Sequence, residues 1–304
     1  MSRKTVKVRL GTLVRVLCPL VILALALAGC GSATTQTPHI TRQATRNTQP
    51  PGKLNVVVSI VPQQYFVERI GGEHVDVTVM VSPGFSPATY EPRPEQLQAL
   101  SEAHAYVRIR VPFEEAWIDR IVSANEDMLI IDECTGIERI GGKDPHIWLS
   151  PQLVKTQAQT ICDGLVELDP DHEADYKSNL ETFLADLDEL DADIQKTLSH
   201  LESHKFLVFH PAWSYFARDY NLEMIPVQIE GSDPSAAEMV GLIQTAQENN
   251  IKVIFAQPEF STESAETIAE EIGGQVLLIS SLAPDWLDNL YRVADTFAEV
   301  LDGR

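Results

Sequence analysis

Eight short runs rich in β-branched and other apolar residues recur through this chain, at 55–61, 75–81, 105–109, 128–132, 206–210, 224–229, 253–256 and 276–279. They are mostly apolar on both faces rather than alternating, as strands covered on each side require. Between them, 65–70, 94–103, 114–122, 153–168, 236–249, 264–272 and 286–301 carry apolar residues at helical spacing. Strand and helix in alternation predict an α/β protein with mainly parallel sheets flanked by helices. No internal repeat is visible.

One segment breaks the alternation. From about His172 to His204 there is no strand run and no Gly or Pro. Leu180, Phe183, Leu184, Leu187, Leu190, Ile194, Leu198 and Leu201 recur at steps of three and four, with one adjacent pair, while Glu181, Asp186, Asp188, Glu189, Asp193 and Lys196 take the other face. The spacing predicts an amphipathic helix of about 25–30 residues, roughly 40 Å long. A dimeric coiled coil fits the same spacing, but the apolar seam is wide and α/β units flank it on both sides. The expectation is therefore two lobes joined by one long rigid helix: an N-terminal α/β lobe at 53–170, the linking helix at 171–204 and a C-terminal α/β lobe at 205–304.

The N-terminal end has a different character. Arg3, Lys4, Lys7, Arg9 and Arg15 precede an apolar run at 16–28 that is short for a membrane span. The run ends in Leu27-Ala28-Gly29-Cys30, which resembles a bacterial lipobox. That resemblance implies a lipoprotein signal peptide at 1–30, cleaved before Cys30, whose lipids hold the protein to the membrane. An uncleaved anchor helix gives nearly the same topology. Residues 31–52 are rich in Thr, Gln, Pro, Ser and Asn, cannot bury enough apolar surface to offset their ordering entropy, and are expected to form a flexible tether.

Losing a leader with five basic and no acidic residues takes the net charge from −21 to −26. Nucleic acid is thereby excluded as a partner, because its binding depends on basic groups that release counterions from phosphate. Cys134 and Cys162 remain in the folded part without a CxxC spacing, and two buried free thiols are expected rather than a disulfide.

Two histidines carry the candidate chemistry. His146 lies in Asp144-Pro145-His146-Ile147-Trp148-Leu149 and His210 in Phe206-Leu207-Val208-Phe209-His210-Pro211-Ala212, each beside a proline. Neutral imidazole suits zinc and its first-row neighbours, and proline ends a ladder so that the adjacent side chain can sit at a loop mouth. Either histidine alone fits a buried turn; the pair fits a metal site. His200 and His204 have i, i+4 spacing but fall at the polar end of the long helix, where a solvated terminus is expected. His39 sits in the tether, and His74, His104 and His172 have no companion motif. Trp148, Trp213 and Trp286 are expected to serve as core or interlobe packing. No P-loop, dinucleotide loop or GxSxG elbow occurs, and no enzyme activity is expected.

Five strings in order then identify a resemblance. They are Ser82-Pro83-Gly84-Phe85-Ser86-Pro87-Ala88-Thr89-Tyr90-Glu91-Pro92, the His146 and His210 strings, Phe255-Ala256-Gln257-Pro258-Glu259-Phe260-Ser261, and Ala283-Pro284-Asp285-Trp286-Leu287-Asp288-Asn289-Leu290. From about Leu54 to Leu301 the chain is similar to the zinc/manganese ABC transporter substrate-binding lipoproteins, the metal-binding class with one long inter-lobe helix. The resemblance implies His146 and His210 as metal ligands. It also exposes departures: Ala88 stands where the family usually has a histidine, and Ser280-Ser281-Leu282 where it often has Asp-Pro-Leu. The loop at 135–143 holds no histidine, unlike many zinc members.

A closed zinc site takes four ligands at about 2.0–2.3 Å, so other groups must complete this one. Glu91, Glu230 and Glu259 are the candidates, with water for a further position; more oxygen would suit manganese, the alternative metal. Ligands in open α/β sheets bind beyond the carboxyl ends of strands, where His210, Gln257, Ser280 and the 83–91 segment all fall. The function expected is an extracytoplasmic solute-binding lipoprotein, lipid-anchored on the outer face of the bacterial cytoplasmic membrane. As a monomer, it would capture a divalent transition metal, Zn²⁺ first, for an ABC permease and its ATPase. The alternative is a lipid-anchored adhesion or scaffold protein with a degenerate metal site.

Overall fold

In a computed structural model the described residues are 52–228, 231–259 and 261–302. The leader, Cys30, His39, the tether up to residue 51 and Glu230 lie outside the described residues. Among the described residues there are two four-stranded sheets, each wholly parallel. The N-terminal sheet comprises β1 (Leu54–Val58), β2 (Val75–Val79), β3 (Ala105–Arg108) and β4 (Leu129–Asp132), in spatial order β2-β1-β3-β4. The C-terminal sheet repeats that order with β5 (Lys205–Val208), β6 (Glu223–Pro226), β7 (Val253–Ala256) and β8 (Gln275–Leu278), as β6-β5-β7-β8. All eight apolar runs form strands, six of them shorter than the run.

The helices are α1 (Val61–Gly71), α2 (Pro94–Ser101), α3 (Pro112–Ala124), α4 (Pro151–Leu168), α5 (Glu173–Thr197), α6 (Ser214–Asp219), α7 (Ala236–Glu248), α8 (Glu263–Glu271) and α9 (Trp286–Leu301). Proline opens four of them within the first two positions, where its missing N–H costs no helical bond. Ser150 caps α4 by accepting the Leu153 N–H, and Ser235 with Glu238 makes a capping box on α7. Helix α6 was not anticipated: it is six residues long, and Trp213, Tyr215 and Phe216 crowd apolar groups too closely to show a period.

The linking helix α5 has 25 residues, about 38 Å at the usual rise, and buries Tyr176, Leu180, Phe183, Leu187, Leu190 and Ile194. It stops sooner than the sequence pattern suggested. The Ser199 hydroxyl donates to the Lys196 carbonyl, and the chain then turns to enter β5, with Ser203 N–H bonded to the Leu301 carbonyl. His200 and His204 thus lie beyond the helix end, and both are exposed, as a solvated terminus requires.

One apolar core runs through both lobes. The face of α5 just named joins Phe66 of α1, Ile161 of α4, and Trp286 and Phe297 of α9. Strand β5 shows why its run is apolar throughout. Phe206 and Val208 enter this shared core, while Leu207 and the following Phe209 enter a second core with Ile254, Ala246 and Ile268. Helix α4 approaches β4 closely at Gly164, where a Cβ would lie 2.4 Å from the end of Ile131. Cys134 and Cys162 are both free and buried; burial, and then Asp132, push the Cys134 thiol up to about 12, so it is unreactive.

Candidate metal centre

In each sheet the order reverses at the second and third positions, opening a crevice between the carboxyl ends of two neighbouring strands. In the C-terminal sheet those strands are β5 and β7. The ladder runs one residue past β5, with Phe209 N–H bonded to the Phe255 carbonyl at 2.7 Å. There Pro211 ends it, and side chains take over. The fully buried Gln257 accepts the His210 N–H at 3.3 Å and donates its amide to the His210 carbonyl at 3.0 Å. On the other flank Gln228 N–H bonds the Phe209 carbonyl at 2.8 Å, which sets Gln228 beside His210. Its Oε1 lies 3.1 Å from Nδ1 of His210.

His146 is aimed by its own sequence. Asp144 Oδ1 accepts the backbone N–H of His146 at 3.0 Å, an Asx turn around Pro145, and also takes Nδ1 of the same residue at 2.7 Å. Because an ionised carboxylate only accepts, Nδ1 of His146 carries the proton and Nε2 presents a lone pair. With Gln228 in the same role, His210 also turns a bare Nε2 inward. The two Nε2 atoms face one another at 3.3 Å, with ring centroids 5.2 Å apart and planes at 72°. At that separation the pair is bridged either by a proton on one Nε2 or by a metal ion bound to both.

Electrostatics agree with that arrangement. Burial, and then the neighbouring His146, push His210 down to about 4, so it is a neutral donor at ordinary pH. Burial opposes ionisation of Asp144, but its hydrogen bond and charge interaction with His146 outweigh this and hold it below the usual carboxylate value. An anionic partner on one imidazole raises its strength as a ligand. Asp144→Asn keeps an acceptor and removes the charge. It is expected to weaken metal binding by about 10–100-fold, read by competition with a chromophoric chelator; unchanged affinity would show that the charge is irrelevant.

The remaining candidates are less closely drawn in. Among the described residues no group of three or more His, Cys, Asp and Glu is arranged to hold a metal ion, so neither Glu91 nor Glu259 joins the pair to make one. Glu91 is exposed at the end of its loop. Glu259 lies two residues beyond Gln257; its Oε2 is buried without a hydrogen-bond partner, and burial pushes the carboxyl up. Ala88 is exposed, and the half-buried Ser280 spends its hydroxyl on the Leu282 N–H at 3.2 Å. Trp148, Trp213 and Trp286 are all buried. His74 and His172 do have companions: their rings stack at 3.9 Å, and they pair with Asp175 and Asp169.

The matching crevice of the N-terminal sheet, between β1 and β3, is plugged. Ser59, Gln63, Tyr106, Glu114 and Glu133 are all fully buried there. Glu114 accepts from Ser59, from Tyr106 at 3.0 Å and from the N–H groups of Ile109 and Val111. Burial pushes both carboxyls up, Glu133 furthest. Sequence reading missed this plug, and also Asp144 and Gln228. Asp-Pro-His carries a legible Asx-turn signal, whereas Gln228 has none, since its role depends on register with β5.

Two α/β lobes on one helix, with paired imidazoles beyond the carboxyl ends of central strands, define the class of two-lobed substrate-binding proteins. Residues 56–300 match the family described as zinc-uptake complex component A, periplasmic, and the chain belongs to that family. It is a family of transport proteins, not enzymes. A solved structure described as ZnuA is 50% identical with a TM-score of 0.80, over 82% of this chain and 99% of that one. The high-affinity zinc uptake system protein ZnuA of Bacillus subtilis (strain 168) is 27% identical over 283 residues, 85% of each chain. The manganese-binding lipoprotein MntA of Halalkalibacterium halodurans is 27% identical over 303 residues, 93% of this chain and 96% of that one.

Proposed function

We propose that this protein captures zinc outside the cytoplasmic membrane and delivers it to the permease and ATPase of an ABC importer, with His146 and His210 as metal ligands. The observation that carries the reading is the 3.3 Å between the two Nε2 atoms. Two imidazoles on a tetrahedral zinc, at about 2.0–2.1 Å each, stand about 3.3–3.4 Å apart. Both rings are already turned the required way, by Asp144 and Gln228. Nitrogen donors favour zinc over manganese in the general affinity order, and zinc relatives support the same choice.

A carboxylate would complete the site and offset the charge of the ion. Glu259 is favoured over Glu91, because its unpartnered buried oxygen would be relieved by a nearby cation; Glu230 is the third candidate. Lipid on Cys30 would keep the carrier, acting as a monomer, beside its permease. Metabolic labelling with an alkyne fatty acid is expected to tag the wild-type protein and not Cys30→Ser, and an untagged wild-type protein would refute the lipid anchor.

Calorimetric titration of the metal-free, tag-free protein with Zn²⁺ and Mn²⁺ tests the cargo. Saturable one-to-one binding, tighter for zinc, is the expected result. Tighter manganese binding would overturn the choice of metal, and no saturable binding of either would overturn transport.

A further inference from the structure

We propose that Tyr215 is the positioning residue that holds His146 at ligand distance from His210, so that the imidazole pair stands assembled before metal arrives. This rests on the metal-carrier reading above. Tyr215 is fully buried and lies in the first turn of α6, five residues beyond His210. Its hydroxyl makes two bonds to the segment that leads into His146. It accepts the Ile140 N–H at 2.9 Å and donates to the Asp144 carbonyl at 2.8 Å. One hydroxyl therefore grips the backbone of the residue that itself orients the His146 ring.

That grip matters because few bonds reach the segment from outside it, the other from α6 being the hydrogen bond of Ser214 to the Asp144 carboxylate. Gly141 and Gly142 both take left-handed backbone angles, with φ of 59° and 72°, and both are exposed. The other backbone bonds across 139–144 are local, such as Asp144 N–H to the Ile140 carbonyl. Beyond His146 the same chain is tied again to the C-terminal half. Trp148 Nε1 donates to the Ser281 carbonyl at 2.7 Å, and Trp286 Nε1 donates to the Trp148 carbonyl at 2.8 Å. His146 is reached from the N-terminal lobe in sequence, yet it is fastened to the C-terminal lobe in space. Tyr215 supplies the fastening on the side of the two left-handed glycines.

Tyr215→Phe removes the hydroxyl and keeps the buried ring. Tyr176→Phe serves as the control, because its equally buried hydroxyl bonds Asp169 at 2.8 Å, close to the start of α5. Both variants should melt a few degrees lower. Only Tyr215→Phe is expected to weaken zinc binding, by about tenfold, the worth of one or two hydrogen bonds. In metal-free protein it should also abolish the slowly exchanging proton resonance of His146 Nδ1–H bonded to Asp144, which Tyr176→Phe should preserve. Wild-type zinc affinity and an intact His146 resonance in Tyr215→Phe would overturn the proposal, as would equal weakening by Tyr176→Phe. Should the wild-type protein bind no zinc, the carrier reading fails, and the metal-free resonance still decides whether Tyr215 holds His146.

Discussion

His210→Ala is expected to weaken zinc binding at least about a hundredfold, and His146→Ala equally. A structural zinc site is worth about 10–16 kcal/mol, so one ligand in four carries about 3 kcal/mol, which is more than two decades in Kd. Water can refill the vacated position, but it cannot restore a ring already oriented at 3.3 Å from its partner. Chelator competition measures the loss, and wild-type affinity in either variant would remove the metal pair from the mechanism.

The His210 variant should also change the response to acid, with a definite sign. In the folded protein His210 titrates at about 4, below the ordinary value near 6.5. Between those values the unfolded chain binds a proton that the native state does not, so this residue makes stability fall as pH drops from 6.5 to 4. His210→Ala should therefore lose less stability over that window than the wild-type protein. A steeper loss would contradict the burial of a neutral ring.

Trp286→Ala is the second substitution with a severe consequence, here for the fold. The indole packs edge-on against Phe66 at 5.0 Å and lies 6.2 Å from Tyr65, both on α1. Phe183 of α5 packs against the same two rings at 5.9 and 6.0 Å. This aromatic cluster is where the N-terminal lobe, the linking helix and the C-terminal lobe meet. Removing a buried Trp costs about 3–5 kcal/mol, and the Trp148 carbonyl would lose its donor as well. Urea unfolding should show a loss of about 4 kcal/mol, with the midpoint of thermal unfolding lower by about 8–16 °C. A loss under about 1 kcal/mol would mean that the lobes are held together elsewhere.

Legibility in the sequence followed the range of the interaction. The apolar runs at 105–109 and 253–256 were readable because a strand buried on both faces needs no partner to be recognised. The Leu180, Phe183, Leu187 and Leu190 stripe was readable because helical spacing is set within a few residues. The end of α5 was not, since the Ser199 bond to Lys196 and the Ser203 tie to Leu301 stop it where apolar spacing continues. At the site, His146 and His210 stood out by residue type and neighbouring proline. Gln228 and Tyr215 did not, because a glutamine at a strand end and a tyrosine in an aromatic string have many ordinary uses.

Local covalent and steric rules, then, settled from the chain alone that the protein is α/β and that a long helix divides it, and they singled out the two imidazoles proposed as ligands. The approach of those imidazoles across 64 residues was decided only by tertiary structure. So was the burial that keeps His210 neutral, and the closure of the N-terminal crevice by Glu114 and its partners. The physical reason is common to all three. Distance, desolvation and hydrogen-bond register between remote segments depend on how whole sheets pack, and no local pattern of residue types encodes them.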